Sequence, residues 1–336
     1  MILQGDALSV LKTIADESIN CCVTSPPYYN LRDYGVDGQI GLEKTPEEYI
    51  QKLVEIFREV RRVLKKDGTL WVNIADSYAG SGKGASNYPD NAKKYKQGTN
   101  KGSVGSYLGA IVSNNFKRKD LIGIPWMLAF ALRADGWYLR QDIIWQKPNP
   151  MPESVKDRCT KSHEYIFLLS KSPKYYFDGE AIAEPVEEST IKRISQNIEY
   201  QDGSYTPSKG NGKMKACMPR YGGKKYTENP DKFYRTKSGN AYDYRPMRNK
   251  RDVWKVVTQP YKGAHFATFP PKLIEPCVLA GCHKDGVVLD PFAGSGTTGM
   301  VARQHGRNFV LIELNNEYVK LCEERTAVES QMNMNL

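Results

Sequence analysis

Residues 286–315 read GVVLDPFAGSGTTGMVARQHGRNFVLIELN, and this stretch decides the fold. Val287–Leu289 is a short, apolar, β-branched run that reads as a buried strand and stops at Asp290. A glycine-rich turn holding Gly294 and Gly296 follows, and a helix is expected to begin at Thr297. A second apolar strand, Phe309–Ile312, then ends in Glu313, nineteen residues after Gly294. Strand, glycine turn, helix, strand and acid is the order of a nucleoside-binding βαβ unit. Its glycines let a ligand approach the backbone, and its later acid accepts ribose hydroxyls. A phosphate-cradling loop is not expected. Neither AGSGTTG (293–299) nor SYAGSGKGA (77–85) supplies Gly-x-x-x-x-Gly-Lys-Ser/Thr, because Ser77 and Gly84 stand at two required positions. The third glycine of the dinucleotide fingerprint is also read as missing, with Gly299 one place too early, so the expected ligand is a nucleoside without a pyrophosphate.

A βαβ unit of this size cannot make a sheet alone, so the other strands must come from the N-terminal part. Asn20–Thr24, Gly68–Ile74, Tyr138–Trp145 and Glu164–Leu169 are short apolar runs of the right kind. Between them lies TPEEYIQKLVEIFREVRRVLKKDG (45–68), read as a helix with Thr45 as N-cap, Pro46 at the first position and a close at Gly68. IPWMLAFALRADG (124–136) and PPKLIEPCVLAGC (270–282) are shorter helices. Strands alternating with helices predict an α/β fold with a mainly parallel sheet covered on both faces.

The second informative stretch is INCCVTSPPYY (19–29), an apolar strand that ends abruptly in Ser25-Pro26-Pro27-Tyr28. Two prolines fix φ and remove two backbone donors, so the strand must stop there. What remains is a stiff turn presenting a hydroxyl, bare carbonyls and an aromatic ring.

Composition adds a partner. The chain has 336 residues, a net charge of +10 and seven cysteines without a C-x-x-C pair, which suits a reducing compartment. No run approaches the roughly 18 apolar residues of a membrane helix, and the N-terminus shows no export signal. The charge is uneven. Residues 192–251 hold 15 Lys and Arg against 5 Asp and Glu, and residues 79–119 hold 8 against Asp90 alone, leaving the rest of the chain net acidic. Two basic segments on an acidic body suit a polyanion. Residues 79–109 read as a long mobile loop. Residues 185–250 interleave basic residues with eight aromatics from Tyr200 to Tyr244, as phosphate contact and base stacking require. Zinc at Cys277, Cys282 and His283 has poor ligand spacing, so no metal is expected.

DPFAGSGTT (290–298) together with TSPPY (24–28) resembles the S-adenosyl-L-methionine (AdoMet)-dependent DNA methyltransferases that modify exocyclic amino groups, in the β arrangement where the catalytic motif precedes the cofactor motif. GDALSVLKTI (5–14), IIWQKPNPMPESVKDRCTKSHEYIFLLSK (143–171) and HFATFPPKLIEPCVLAG (265–281) extend the resemblance over most of the chain. It implies a Rossmann-like, mainly parallel, circularly permuted seven-stranded sheet with a reversed hairpin strand and an inserted target-recognition region. Residues 1–184 would be the catalytic half, 185–250 the target-recognition region and 251–330 the AdoMet-binding half. By the same resemblance Asp290, Phe292, Gly294, Gly296 and Thr297 belong to the AdoMet site, Glu313 takes the ribose, and Asp6 lies near the adenine or serves as a polar turn residue. Ser25, Pro26, Pro27 and Tyr28 form the catalytic turn. Trp145 and Lys147 shape the pocket, while Tyr29, Asn30, Arg32 and Asp33 either touch DNA or support the turn.

The implied chemistry follows from the target. An exocyclic amine is a poor nucleophile because its lone pair is delocalised into the ring. Acceptors on both N–H bonds, the Ser25 hydroxyl and the Pro26 carbonyl, would localise that lone pair toward a sulfonium methyl, and Tyr28 can stack on the flipped base. In this family an acid in place of Ser25 usually accompanies adenine, so N4 of cytosine is expected, with N6 of adenine as the alternative. A ring-carbon methyltransferase would need a cysteine nucleophile, for which Pro276-Cys277 is the only Pro-Cys pair. A non-catalytic nucleic-acid-binding module on the same fold, or an RNA or protein-amine methyltransferase, is more distant. The resemblance implies double-stranded DNA as partner, a cytoplasmic, prokaryotic or phage-encoded protein, and a monomer or homodimer. It also allows a cognate restriction endonuclease.

Overall fold

The computed structural model describes residues 1–31, 36–79, 115–187, 247–259 and 269–332, with the backbone of four short strands at 202–206, 210–213, 233–235 and 241–243. It divides into two compact units, one of Met1–Ala181 with Arg251–Leu336 and one of Ile182–Lys250.

The larger unit carries one sheet. Its strands are β1 (Ile2–Gln4), β2 (Ile19–Thr24), β3 (Leu64–Ile74), β4 (Tyr138–Gln146), β5 (His163–Ser170), β6 (Val253–Lys255), β7 (Val287–Asp290) and β8 (Asn308–Glu313). They lie in the order β1-β8-β7-β2-β3-β5-β4-β6. All neighbours are parallel except β5, which runs antiparallel to both β3 and β4 and is the expected reversed strand. The eighth strand is β6, three residues on the edge beside β4, one more than the expected seven. All six residues of β2 are buried, as a central strand covered on both faces requires. The strand order reverses between β7 and β2, and a crevice for ligands opens at such a point outside the carboxyl ends of the strands.

Among the described residues six helices accompany the sheet: α1 (Ala7–Leu11), α2 (Pro46–Val63), α3 (Ile124–Ala134), α4 (Pro271–Gly281), α5 (Thr297–Gln304) and α6 (Asn316–Met332). In α2 the Thr45 hydroxyl oxygen accepts from Glu48 N, Glu47 and Glu48 fill the first turn, and Arg61 and Arg62 the last, so both ends suit the helix dipole. Tyr49, Leu53, Ile56, Phe57 and Val60 form its buried stripe. The helix stops at Val63 and not at Gly68. Leu64 is extended (φ −67, ψ 139) and pairs with Ile19, so sheet pairing claims residues that helix propensity alone would have kept.

Among the described residues the smaller unit contains three two-stranded antiparallel ribbons: Glu184–Pro185 with Met247–Arg248, Asp202–Thr206 with Gly210–Lys213, and Phe233–Arg235 with Ala241–Asp243. Arg248 pairs with Glu184 and Glu187, each at 3.0 Å. The side chains of Arg220, Arg235, Arg245 and the aromatics of this region lie outside the described residues, as do residues 80–114 of the basic segment. The two flanks of that segment are tied together. Ala79 N donates to Asp120 O and Lys119 N to Ala79 O, both at 2.8 Å, beside a bridge between Tyr78 and Leu121. No described helix is long and apolar enough to cross a membrane.

Candidate active site

Because β7 pairs with β2, Thr24 and Asp290 reach the carboxyl edge of the sheet side by side. Thr24 Oγ1 donates to Asp290 Oδ1 at 2.6 Å, Thr298 Oγ1 donates to Oδ2 at 2.6 Å, and Phe292 N donates to Oδ1 at 3.0 Å. One carboxylate therefore joins the strand before the Ser-Pro-Pro-Tyr turn, the glycine turn and α5. Asp290 is fully buried, and burial pushes its carboxyl up to about 6 against the pull of those three donors.

The glycine turn is built by backbone geometry. Gly294 (φ 53) and Gly296 (φ 76) are left-handed, and a Cβ on Gly296 would lie 2.9 Å from Cys322 Cα in α6. A Cβ on Gly299 would lie 2.7 Å from Leu311 Cδ1, so this glycine brings α5 close onto β8. Gly294, Gly296 and Gly299 thus have the full G-x-G-x-x-G spacing of dinucleotide sites, which corrects the reading that Gly299 stands one place too early. Gly294 N donates to Glu313 Oε2 at 2.7 Å and Asn315 N to Oε1 at 2.9 Å. Burial raises the Glu313 carboxyl above its usual range.

A cavity opens over this edge. The Ser25–Tyr28 turn lines one side, and Gly5, Asp6, Phe292, Gly294, Thr297 and Glu313 line the other. Among its described lining residues the only formal charges are the carboxylates of Asp6 and Glu313. The described part of this wall suits a cationic ligand bearing hydroxyls better than a pyrophosphate. Asp6 also caps α1, its Oδ1 accepting from Ser9 N at 2.9 Å and Ser9 Oγ at 2.8 Å, so it is both a lining residue and a turn residue. Asp290 and Gly296 do not line the cavity.

The Ser25–Tyr28 turn is held from several sides. Tyr49 Oη donates to the Pro27 carbonyl at 2.7 Å, Leu31 N to the Tyr28 carbonyl at 3.3 Å, and Asn30 N to Gly41 O at 2.7 Å. Tyr29 is buried, its ring 5.5 Å from that of Tyr49, and supports the turn; Arg32 and Asp33 lie outside the described residues. Tyr28 Oη donates to Glu164 Oε2 at 2.7 Å and lies 3.3 Å from Asn73 Oδ1. Burial, then the neighbouring Glu164 carboxylate, pushes the Tyr28 phenol well above its ordinary value. Lys147 bonds to Glu164 Oε1 and lies 4.3 Å from the centre of the Trp145 ring; neither Lys147 nor Trp145 lines the cavity.

Thr24, Asn73, Glu164 and Thr298 are site residues that the sequence reading missed. Their signal was a polar residue at or near the end of a strand, or directly after the glycine turn. Cys277 is fully buried in α4 and does not line the cavity. Among the described residues no cluster of three or more His, Cys, Asp or Glu side chains is placed to hold a metal.

The permuted α/β sheet and an acidic nucleoside cavity facing a Ser-Pro-Pro-Tyr turn define an AdoMet-dependent methyltransferase class. A family model for the N6/N4 methyltransferases, described as DNA methylase, matches residues 19–324. Type II methyltransferase M.Cfr9I of Citrobacter freundii is 44% identical over 328 residues, covering 96% of this chain and 86% of that protein. Among solved structures, PvuII DNA methyltransferase (cytosine-N4-specific) is similar with a TM-score of 0.59 at 17% identity, covering 97% of this chain and 85% of the other. A putative DNA modification methylase from Thermus thermophilus, complexed with S-adenosyl-L-methionine, is similar with a TM-score of 0.56 at 22% identity, covering 98% and 93%. The chain belongs to the N6/N4 DNA methylase family.

Proposed function

We propose that this protein transfers a methyl group from AdoMet to the exocyclic amine of a base flipped out of double-stranded DNA, at N4 of cytosine. The observation that carries this reading is the cavity itself, with the Ser25–Tyr28 turn on one wall and the acidic glycine-turn site on the other. Bound there, AdoMet supplies an electrophilic methyl on a sulfonium. Glu313 takes the ribose hydroxyls and Asp6 lies near the adenine, while Gly294, Phe292 and Thr297 lie along the methionine side. Asp290 and Gly296 act from beneath by fixing the turn.

Ser25 Oγ and the Pro26 carbonyl accept the two amine N–H bonds and turn the nitrogen lone pair toward the methyl. The prolines hold that carbonyl still, and Tyr28 stacks on the base. Transfer then depends on alignment, without a covalent enzyme intermediate. The cytosine preference rests on a serine standing where an acid usually accompanies adenine. Sequencing DNA from prokaryotic cells expressing the protein, with detection of modified bases, is expected to show N4-methylcytosine at one sequence context. N6-methyladenine would reassign the base, and unmodified DNA would overturn the reading.

We assign residues 185–250 to target recognition, from their charge and aromatic content and their position between the two motifs. Exchanging this segment for that of a relative should change the sequence methylated and leave the base type unchanged. An active hybrid that still marks the original site would move recognition elsewhere, first to the 79–119 segment.

A further inference from the structure

Glu164 is 7% exposed and is the second residue of β5, opposite Trp145 on β4. Among the described residues its carboxylate bonds only to side chains: Tyr28 Oη at 2.7 Å, Asn73 Nδ2 at 3.2 Å, and the Lys147 ammonium. It caps no helix and takes no backbone N–H. Asn73, itself 3% exposed, is fixed by a second bond from Nδ2 to the Tyr165 carbonyl at 3.1 Å. Residues from β3, β5 and the end of β4 thus converge on one point, the far end of the Tyr28 ring.

Stability does not account for this arrangement. A buried carboxylate–ammonium pair is on average no more stabilising than two apolar side chains of the same volume. What an apolar pair cannot do is accept the Tyr28 proton. A phenol oxygen lies on the axis of its ring, so a bond there stops the long axis from swinging about χ1, while packing sets the plane. We propose that Glu164 is a positioning residue that acts through the Tyr28 hydroxyl, holding the ring where it clamps the flipped base, with Lys147 and Asn73 holding Glu164 in turn. This rests on the reading of Ser25–Tyr28 as the base-binding turn. In that reading Tyr28 does its work with its ring face, and its hydroxyl, which is also hydrogen-bonded to the Ser25 side chain, has no contact with the base to make.

The test compares Tyr28→Phe, the paired change Glu164→Leu with Lys147→Met, all three changes together, and Glu164→Gln, on the full chain with unmodified genomic DNA. Tyr28→Phe and the paired variant should each lower kcat about tenfold, the scale of a small misplacement of a reacting group, with the AdoMet Kd unchanged. The triple variant should be no slower than either. Glu164→Gln, whose amide oxygen still accepts the phenol proton but whose nitrogen cannot accept from Lys147, should lose less activity than the paired variant.

Full activity in Tyr28→Phe, losses that multiply in the triple variant, or a shifted AdoMet Kd would each overturn the proposal. Tyr28→Phe leaves the buried pair intact, so its result stands even if the paired variant does not fold. A readout independent of turnover is the 19F resonance of 3-fluorotyrosine placed at position 28. It should shift or broaden in the paired variant and stay near the wild-type position in Glu164→Gln. An unchanged line in the paired variant refutes the positioning role. A wild-type chain that methylates no DNA refutes the proposed function instead.

Discussion

Replacing Ser25 by alanine should lower methyl transfer by about 10²–10³-fold, the scale of losing one acceptor or donor aimed at the reacting group, and leave AdoMet binding unchanged. Ser25 follows β2 and Glu313 ends β8, with β7 between those two strands, so the two residues line the cavity from separate strands. Glu313→Ala should do the reverse. It removes the acceptor for the ribose and also leaves Gly294 N and Asn315 N without their carboxylate. AdoMet affinity should then fall by about 1–3 kcal/mol. Calorimetry with AdoMet and transfer of labelled methyl to DNA separate the two. Wild-type turnover in Ser25→Ala would remove the serine from the chemistry, and unchanged affinity in Glu313→Ala would remove the acid from the cofactor site.

Asp290 should give the largest effect on stability. Asp290→Ala leaves three donors, from Thr24, Thr298 and Phe292 N, unpaired in a fully buried place. At about 1–3 kcal/mol for each buried group left unpaired, the loss should be about 3 kcal/mol or more. Asp290→Asn tests the electrostatics. The folded carboxyl titrates at about 6, above the 3.8 of an unperturbed aspartate, so its contribution is fully present below pH 3.8 and is lost as pH rises through 6. An asparagine does not titrate. The stability of Asp290→Asn relative to the parent should therefore rise by roughly 2–3 kcal/mol from acid to neutral pH, because each tenfold difference in proton affinity between the folded and unfolded chains is worth about 1.36 kcal/mol. Urea unfolding of both chains at a series of pH values measures the difference, and the other carboxylates cancel. A flat difference would mean that the acid is not held in the dry site described.

The central elements are legible in the sequence because each carries a strong local signal. The βαβ unit announces itself by an apolar strand, Gly294 and Gly296, and a terminal acid, and the turn by two prolines after six buried residues. Other elements carry no period to read. β1 and β6 have three residues each and exist only because a neighbour pairs with them. The end of α2 escapes a local reading because Lys65 and Lys66 favour a helix in isolation, while Leu64 is needed opposite Ile19. Glu164 and Asn73 are polar residues near the ends of their strands, and one sequence does not reveal that both meet under Tyr28. The motif alone puts Asp290 on the cofactor wall, whereas both of its oxygens are committed to protein donors.

The bond between Thr24 and Asp290 spans 266 positions. A ribosome adds about 5–20 residues per second, so β2 is made roughly 13–53 seconds before the strand that must lie beside it. Throughout that interval one edge of the most buried strand has no neighbour, and such an edge is where chains pair wrongly with one another. Completion of the sheet and assembly of the cavity then coincide, because both await β7, the turn that follows it and β8, which ends in Glu313. A chain that stops short of residue 290 therefore carries Gly5 and Asp6 of the donor site but lacks the glycine turn and Glu313.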